Sequence, residues 1–595
     1  PLAIFTGQVA AALAAGNSVI AKPADPTPLI ASESVKILHE AGVPADVLNL
    51  VPGRGRVLGE IINTDPRIKG VAFTGSTEVA LGIQRTLVER GGEVPAFIAE
   101  TGGQNSMVVD SSALPEQVVD DAIRSAFLSA GQRCSALRVM YIQDDIADKI
   151  IEMLKGAMAE LTINKPWQLT TDVGPVIDEW AQKDLLQHIE NMKQEAVIHY
   201  ACETPPGFEH GTFVPPHLIE LSTVNQLPGE IFGPVLHVIR FERANFHEVI
   251  DEINGTGFGL TLGVHSRIEK FADDVVKLTR VGNNYINRNM VGAVVGVNPF
   301  GGQGLSGTGP KAGGPNYMTR FATERINVLE QPVDTDAIEP AGVVSAIICG
   351  KGVAQVTEGH LAEAMELAHR NQLGWNLAGG DGRARLLDRA AALIEERLPD
   401  QKATVNVCRY YADQARQKCQ APVILPGPTG ESNELSLHGR GVFFCAVADD
   451  TDSYAFVQQV AAALAAGNSV IACPSTDQAP LAEKVIRAML DAGVPSEILH
   501  FIPGDLARRL VTKDLRLAGI AWTGRVEEAL AMLLEVSERG GAIIPMVVEP
   551  GGPNYLLRFA VEKTKTVNIV ATGGNALLLN LDDRVQPLES SPQLG

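Results

Sequence analysis

The fourteen residues QVAAALAAGNSVIA occur twice in this chain, at 8–21 and again at 459–472. Further matches follow at nearly constant spacing: AGVP at 41–44 and 492–495, VPG at 51–53 and IPG at 502–504, and GVAFTGS at 70–76 and GIAWTGR at 519–525. A repeat of this length indicates a duplicated domain rather than a solenoid.

The second copy is shorter than the first. AETGGQN at 99–105 corresponds to VEPGGPN at 548–554, and the second copy then runs directly into PNYLLRFA at 553–560. That sequence matches PNYMTRFA at 315–322, so a long segment of the first copy has no counterpart. The second copy therefore keeps the outer frame of the first and has lost its middle.

The shared frame is typical of an α/β fold. Short apolar strands at 18–21, 47–51 and 70–73 alternate with helices at 9–15 and 29–41. Each helix is followed by a glycine, which is favoured just beyond a helix end. Alternating short strands and helices predict a parallel, doubly wound sheet.

Composition and charge argue against several classes of partner. The chain has 595 residues, of which 45% are hydrophobic and 20% charged, so more than one globular domain is expected. A formal net charge of −21 disfavours binding to nucleic acid or anionic membranes. No apolar stretch reaches the roughly 20 residues of a membrane-spanning helix. The opening residues, from Pro1, do not have the pattern of a signal peptide.

The seven cysteines are dispersed along the chain, and no two form a C-x-x-C pair. This spacing argues against a disulfide framework and against a zinc site, so no metal is expected. It is typical of a protein in a reducing cytoplasm. The pattern is also compatible with one cysteine acting as a nucleophile.

Six motifs occur in order in the first copy: KPADPTP at 22–28, FTGSTEVA at 73–80, ETGGQN at 100–105, GQRCSA at 131–136, EIFGP at 230–234 and NPFGG at 298–302. Together they resemble the aldehyde dehydrogenase superfamily over about residues 1–325. The resemblance implies a Rossmann-like NAD-binding domain and an α/β catalytic domain. The second copy would then be a degenerate, Rossmann-like domain of the same type.

The resemblance also implies the domain boundaries. We expect an NAD-binding domain at 1–104, a catalytic domain at 105–300, a return to the first domain at 301–328, a linker at 329–345, a degenerate dehydrogenase-like domain at 346–565 and a C-terminal tail motif at 566–595.

Two residues carry the chemistry that the resemblance implies. Cys134 is the nucleophile that attacks an aldehyde, because a thiolate is both a strong nucleophile and a good leaving group. Glu100 is the general base that activates the water of hydrolysis. The second copy keeps a similar motif at Glu549 although no nucleophile follows it, so part of the Glu-x-Gly-Gly pattern is expected to be structural.

The cofactor implied by the resemblance is NAD. Lys22 and Asp25 match family positions that bind the adenosine ribose, and an acidic side chain there disfavours a 2′-phosphate. Gly75 and Ser76 match the start of a helix that faces the pyrophosphate. The residues that would hold the nicotinamide ribose and ring are Glu230 and Phe232.

The substrate is indicated by longer local matches. The sequences at 131–138, 171–178 and 286–324 resemble the glutamate semialdehyde dehydrogenase branch, and more narrowly the dehydrogenase half of bifunctional flavoenzymes of proline catabolism. In that branch the substrate is L-glutamate 5-semialdehyde, the hydrolysed form of 1-pyrroline-5-carboxylate. The expected substrate-binding residues are Arg133, Ser135, Gly292, Ala293 and Phe300.

The second copy differs from the first at the positions of the implied site. It has Cys473 at the position of Lys22 and Asp450 where the family has an oxyanion-stabilising Asn. We therefore interpret it as catalytically silent, and we expect its tail, TVNIVATGGNALLLNLDD at 566–583, to cover the path of the intermediate. The resemblance places the first copy's own Asn, and a proline dehydrogenase half with FAD, before Pro1, so a piece of a longer, homo-oligomeric protein is expected.

Two alternatives remain open from the sequence. The substrate is another short semialdehyde acid, such as succinate semialdehyde, or the chain is an inactive scaffold built from two degenerate copies. The presence of both Cys134 and Glu100 argues against the scaffold.

Overall fold

The duplication is visible in the backbone of the structure, a computed structural model that describes residues 2–324, 344–449, 451, 453–548 and 551–570. The first copy opens with α1 (Leu2–Ala14), β1 (Val19–Ala21), α2 (Pro28–Glu40), β2 (Leu48–Leu50), α3 (Gly55–Thr64), β3 (Gly70–Thr74), α4 (Thr77–Glu89) and β4 (Ala96–Glu100). The strands and helices expected from the repeat are all present. The first helix begins at Leu2 and not at residue 9 as predicted, and the other bounds agree closely.

The part found only in the first copy forms a second α/β unit. Its elements are β5 (Ser106–Val109), α5 (Pro115–Phe127), β6 (Val139–Gln143), α6 (Asp144–Ala159), α7 (Glu179–Glu195), β7 (Val197–Ala201), β8 (His217–Leu221), β9 (Val235–Phe241), α8 (Phe246–Gly255), β10 (Phe258–Gly259), β11 (Thr261–His265), α9 (Glu269–Leu278), β12 (Asn283–Ile286) and β13 (Gln303–Gly304). Strands β5, β6, β8, β9, β11 and β12 pair in parallel around a buried apolar core.

The second copy begins with a small hairpin and three long helices. Its elements are β14 (Ala346–Ile348), β15 (Lys351–Val353), α10 (Glu358–Leu377), α11 (Gly379–Arg397), α12 (Lys402–Cys419), β16 (Val423–Leu425), β17 (Glu431–Gly439), β18 (Val442–Val447), α13 (Ser453–Ala466), β19 (Ser469–Cys473), α14 (Ala479–Asp491), β20 (Leu499–Phe501), α15 (Asp505–Leu510), β21 (Leu517–Thr523), α16 (Val526–Glu538), β22 (Met546–Val547), α17 (Tyr555–Arg558) and β23 (Ala560–Asn568).

The two copies make the same internal contacts. Asn17 donates from its side-chain amide to Phe321 O at 2.8 Å, and the matching Asn468 donates to Phe559 O at 2.9 Å. The amide of Gln8 donates to Thr74 Oγ1 at 2.9 Å, and that of Gln459 donates to Thr523 Oγ1 at 2.8 Å. The repeat is therefore a duplication of three-dimensional structure and not only of sequence.

The parallel sheet of the duplicated frame is continuous in the second copy and divided in the first. In the second copy β20, β19, β18, β21 and β22 pair in that order, all in parallel. In the first copy the equivalent strands form two separate parallel pairs, β1 with β2 and β3 with β4. Within the described part of the first copy, no strand occupies the central place that β18 has in the second.

The second copy also completes the sheet of the first. Strand β23 pairs in parallel with β12 and antiparallel with β17, and β16 pairs with the outer edge of β17. The result is one ten-stranded sheet that runs through both copies. The predicted domain boundary at 565 falls inside β23, and the proposed domain bounds remain predictions. The predicted linker lies outside the described residues except for 344 and 345, and Glu549, Asp450 and most of the tail, beyond 570, also lie outside them.

Identical sequences are buried to different extents in the two copies. In α13 the residues from Val460 to Ala466 have no solvent exposure, whereas in α1 only Val9 is buried. Helices α10, α11 and α12 account for the difference. Helices α11 and α12 pack against α13, and two side chains reach its end: Trp375 Nε1 donates to Leu464 O at 3.1 Å and Arg383 Nε to Ala465 O at 3.0 Å.

Two equivalent leucines test this difference directly. Leu464→Ala removes a fully buried side chain and is expected to lower the free energy of unfolding by about 2–5 kcal/mol. Leu13→Ala, at the same place in the same fourteen-residue sequence, is expected to cost less, because Leu13 is only partly buried. Urea denaturation of the two variants gives the comparison. Equal losses would contradict the burial difference.

Candidate active site

Cys134 lies in a tightly folded turn before β6. The turn begins with the short 3-10 helix Leu128–Gly131, in which Ser129 and Ala130 have left-handed backbone angles (φ 58° and 51°). Gly131 is also left-handed, and a Cβ there would lie 2.2 Å from Gly233 O, so only glycine fits. Non-glycine residues in this conformation are strained and cluster at functional sites.

Asn105 holds the backbone of the cysteine turn. Its buried side-chain amide donates to Cys134 O at 2.6 Å and to Ala136 O at 2.8 Å, while its oxygen accepts from Thr261 N at 3.1 Å. Asn105 lies within the ETGGQN motif, but no role was predicted for it. Its position two residues after the Gly-Gly pair was the available signal.

Arg138 joins the cysteine turn to the EIFGP segment and was also missed as a candidate. Its side chain is fully buried. The guanidinium donates to Gly131 O at 2.6 Å and to Arg133 O at 3.0 Å on one side. On the other side it binds Glu230 Oε1 through Nη2 (3.0 Å) and Nε (3.3 Å). A charged side chain four residues after the cysteine gave only a weak sequence signal.

Glu230 is held from both sides, as Gly103 N also donates to its Oε2 at 3.1 Å. A Cβ on Gly102 would lie 1.9 Å from that oxygen, which explains a glycine at this position. Burial raises the pKa of Glu230, and Arg138 and the Gly103 N–H oppose the rise. Phe232 lies against the same guanidinium, 5.0 Å from its ring centre, and is 44% exposed.

Glu100 stands at the carboxyl end of β4, facing a loop from the end of the first copy. Gly302 N donates to its Oε2 at 3.3 Å, and its backbone forms an isolated bridge with Gly307. Glu100 Oε1 is buried and has no hydrogen-bond partner among the described residues. That oxygen is therefore free to accept a proton.

Burial and charge set the protonation of the two principal residues. Burial raises the pKa of Glu100 to about 8, while Lys311 and the Gly302 N–H oppose the rise. Burial raises the pKa of Cys134 to about 11, and the carboxylates of Glu100 and Glu230 add to that rise. The charge of Glu100 acts on the Cys134 thiol because the two predicted residues lie in one site.

Lys22 and Asp25, the residues predicted to bind the adenosine ribose, are in direct contact. Lys22 Nζ donates to Asp25 Oδ1 at 2.8 Å, and this hydrogen bond lowers the pKa of Asp25. Asp25 additionally accepts from Gly55 N, the first residue of α3, at 3.1 and 3.2 Å. Asp25 thus has a structural role at the start of a helix, which the sequence analysis did not anticipate.

Gly75 and Ser76 form the start of a helix, as predicted. Ser76 is the N-cap of α4, and its Oγ accepts from Val79 N at 3.2 Å. A Cβ on Gly75 would lie 2.4 Å from the ring of Phe73. Gly75 N donates to Glu100 O at 3.1 Å, so the helix start is tied directly to the strand that carries Glu100.

The predicted substrate loop is exposed and is anchored to the cysteine turn. Gly292 (φ 89°) and Ala293 lie on an exposed stretch that follows buried Met290. Ser125 on α5 accepts from Met290 N through its hydroxyl and from Leu137 N through its carbonyl, both at 3.0 Å. One residue of α5 therefore positions both segments.

The remaining predicted residues are placed on either side of this loop. Phe300 follows the substrate loop in sequence, and its backbone forms an isolated antiparallel bridge with Ala312. Ser135 is buried beside Cys134, and Thr261 Oγ1 donates to its carbonyl at 3.2 Å. Arg133 Nε donates to Ser129 Oγ at 3.1 Å, so its guanidinium is directed to its own turn.

The second copy forms hydrogen bonds with the loop that faces Glu100. Glu562 on β23 accepts from Lys311 N at 2.6 Å and from the side-chain amide of Asn316 at 2.7 Å. Arg440 Nη1 donates to Thr308 O at 3.1 Å. Because Thr308 N donates to Ala99 O, next to Glu100, at 2.9 Å, residues of the second copy fix the surroundings of the predicted base.

Other classes of site are not found in the part of the chain that the structure describes. None of the helices there is both long and apolar enough to cross a bilayer. The described His, Cys, Asp and Glu residues include no group of three or more that could hold a metal ion.

Comparison with known proteins agrees with the resemblance. The chain is 42% identical over 583 residues to the bifunctional protein PutA of Klebsiella aerogenes, covering 96% of this chain and 40% of that protein. A crystal structure of bifunctional proline utilization A matches 55% of this chain and 33% of its own, with 57% identity and a TM-score of 0.53. The structure of 1-pyrroline-5-carboxylate dehydrogenase from Thermus with bound NAD matches 54% of this chain and 62% of its own, with 34% identity and a TM-score of 0.50.

The chain spans about 40% of the length of the curated PutA relatives that it matches. The family model for aldehyde dehydrogenases matches residues 1–326 and again residues 398–573, so it covers both copies and most of the chain. The chain belongs to the aldehyde dehydrogenase family.

Proposed function

We propose that this chain catalyses the NAD-dependent oxidation of L-glutamate 5-semialdehyde to L-glutamate. The observation that carries the proposal is one buried site in which the carboxylate of Glu100 acts on the thiol of Cys134, beside Glu230 held by Arg138. Relatives named 1-pyrroline-5-carboxylate dehydrogenase and PutA support the substrate assignment.

The proposed reaction uses Cys134 and Glu100 in succession. The Cys134 sulfur bonds to the aldehyde carbon while the carbonyl oxygen gains the thiol proton, which gives a thiohemiacetal. NAD, when bound, would supply the oxidant for the next step, in which the thiohemiacetal carbon gives up its hydrogen as hydride and the hydroxyl group gives up its proton to solvent, so that a thioester remains on Cys134. Glu100 then takes a proton from water, the resulting hydroxyl bonds to the thioester carbon, and the carbon–sulfur bond breaks to release the acid.

The residues present fit NAD. Lys22 and Asp25 lie together at 2.8 Å, where a carboxylate suits ribose hydroxyls and repels a 2′-phosphate. Ser76 is the N-cap of α4, whose N-terminus suits a pyrophosphate, and Gly75 is exposed beside it. Glu230 and Phe232 would hold the nicotinamide ribose and ring, next to the cysteine turn.

The loop at 291–297 would receive the α-carboxylate of the substrate. Its exposed backbone around Gly292 and Ala293 carries N–H groups and little side-chain bulk, which suits a small anion. Ser135, buried directly after the nucleophile, would bind the same carboxylate. Phe300 would pack on the aliphatic part of the substrate, and Arg133 lies at the same turn.

The proposal also includes the cellular location, the partner region and the oligomeric state of the enzyme. A cytoplasmic location agrees with seven dispersed, free cysteines. The similarity to bifunctional PutA proteins supports a proline dehydrogenase partner region that uses FAD, together with assembly into a homo-oligomer. A tail that covers the path of the intermediate belongs to the same proposal.

Substitution of the nucleophile tests the proposed function. Cys134→Ala is expected to lower kcat for NADH formation from glutamate semialdehyde by about 10⁴-fold or more, because no thiohemiacetal can form. Cys202→Ala is the matched control: burial also raises the pKa of Cys202 to about 11, but its thiol bonds to Met158 O, away from the site. The control is expected to retain activity.

Substrate choice separates the proposal from its alternatives. The kcat/KM for glutamate semialdehyde is expected to exceed that for succinate semialdehyde by at least about tenfold, since the site binds the amino acid end. Equal or reversed preference would favour the other semialdehyde acid. Unchanged NADH formation in Cys134→Ala would refute cysteine catalysis, and no reaction with either aldehyde would favour the scaffold.

A second prediction concerns Glu562 as a positioning residue for Glu100. The charge of Glu562 raises the pKa of Lys311, although burial lowers that pKa to about 7. Lys311 lowers the pKa of Glu100, and this effect is larger than the direct effect of Glu562, which raises the pKa of Glu100. Glu562→Gln is therefore expected to neutralise Lys311 and to raise the pKa of Glu100. Because the base acts in its ionised form, the rate rises as pH increases through this pKa, so the rising limb should move to higher pH.

The pH dependence of kcat measures this shift, which a purely structural loss of activity would not produce. Glu434→Gln is the control. Glu434 lies on β17, the antiparallel partner of β23, and its substitution removes the same charge. A limb that stays in place in Glu562→Gln, or that moves equally in both variants, would contradict this role of Glu562.

A further inference from the structure

A polar cleft lies between the two copies, behind the loop that faces Glu100. One wall comes from the end of α9 in the first copy, and the other comes from α10 and the β17 hairpin in the second. The cleft contains about 370 Å³ of empty space, part of which opens to solvent. Nothing in the proposed oxidation uses it.

The charge of the lining is the unusual feature. Four basic side chains line the cleft, two from each copy: Lys277, Arg280, Arg440 and Lys563. Among the described residues, no carboxylate lines it, although the whole chain has a formal net charge of −21. Like charges held this close repel one another, so an anion between them would be stabilised.

Two of the guanidinium groups are only partly satisfied. Arg440 donates through Nη1 to Thr308 O, but its Nε is buried without a hydrogen-bond partner in the described structure. Burial and the nearby Arg558 lower the pKa of Arg440 to about 10. Burial also lowers the pKa of Arg280, and the described residues provide no hydrogen bond or ion pair to its guanidinium.

Nearby acids are already engaged elsewhere. Glu562, whose charge acts on Arg440, accepts from Lys311 N and Asn316 and does not line the cleft.

Lys563 is held in place by two carbonyls at the end of α9, Val276 O at 2.7 Å and Thr279 O at 2.8 Å. Burial lowers its pKa to about 8, which an adjacent anion would counteract.

The uncharged lining is rich in hydrogen-bonding groups. Gln303, Gln372 and Asn376 line the cleft, and the amides of Gln372 and Asn376 are fixed by bonds to Gly467 O (2.8 Å) and to the His438 ring (3.0 Å). Charged donors with fixed polar neighbours are the arrangement that binds oxyanions through several hydrogen bonds.

We propose that this cleft is a binding site for a small oxyanion of the phosphate type, shared between the two copies. The anion accepts from Arg280 and Lys277 on one side and from Arg440 on the other. It offsets the repulsion between the copies and stabilises the position of Arg440, which holds Thr308 beside Glu100. The site is separate from the substrate loop and from the residues proposed to hold NAD.

Titration of inorganic phosphate into the full chain tests the proposal, by calorimetry and ³¹P NMR at constant ionic strength set with chloride. We expect saturable binding of phosphate with a dissociation constant near or below about 1 mM. The double variant Lys277→Gln/Arg280→Gln is expected to bind at least about tenfold more weakly. Arg280→Lys, which keeps the charge, should retain most of the affinity.

A matched double variant controls for net charge. Lys183→Gln/Arg389→Gln removes the same two charges from exposed positions on α7 and α11 and is expected to leave phosphate affinity unchanged within about twofold. Near-ultraviolet circular dichroism confirms that each variant is folded. Absence of saturable binding would overturn the proposal, as would equal affinity in the cleft variant and the wild type, since phosphate would then bind elsewhere.

Discussion

The buried guanidinium of Arg138 is the constraint on which the candidate site depends. It binds two carbonyls of the cysteine turn and the carboxylate of Glu230, so two segments distant in sequence meet at one charge. A buried cation is stable only when its hydrogen bonds are made, and it therefore enforces one arrangement of its acceptors. The strained backbone at Ser129 and Ala130 persists because these bonds determine the turn.

The second copy shows how a duplicated domain that lacks the family's nucleophile can serve the domain that carries one. Its antiparallel strands β17 and β23 extend the larger sheet of the first copy, and Glu562 and Arg440 hold the loop opposite Glu100. Its central sheet keeps the frame of a nucleotide-binding domain, yet Cys473, at the position of Lys22, is buried. The preserved frame supports these two strands, and the lost middle is the part that contains Cys134 in the first copy.

Sequence patterns predicted the α/β fold, the duplication and the meeting of Cys134 with Glu100, because each was encoded in a local motif or a repeat. Arg138, Asn105 and Glu562 were missed, because their roles depend on partners brought near only by folding. The different burial of the two QVAAALAAGNSVIA segments could not be predicted either: α10, α11 and α12 bury one of them, and the other stays partly exposed. The division of the first sheet into two pairs likewise depends on which strand lies between them.

A double-mutant cycle on Arg138 and Glu230 tests the central claim most directly. The variants Arg138→Met, Glu230→Gln and the two combined are compared by free energy of unfolding in urea. Each single change leaves a buried charge or buried carbonyls without a partner and is expected to cost about 3–5 kcal/mol. The account predicts that the double variant loses less than the sum, by at least about 1 kcal/mol. Strictly additive losses would contradict a site organised by this pair.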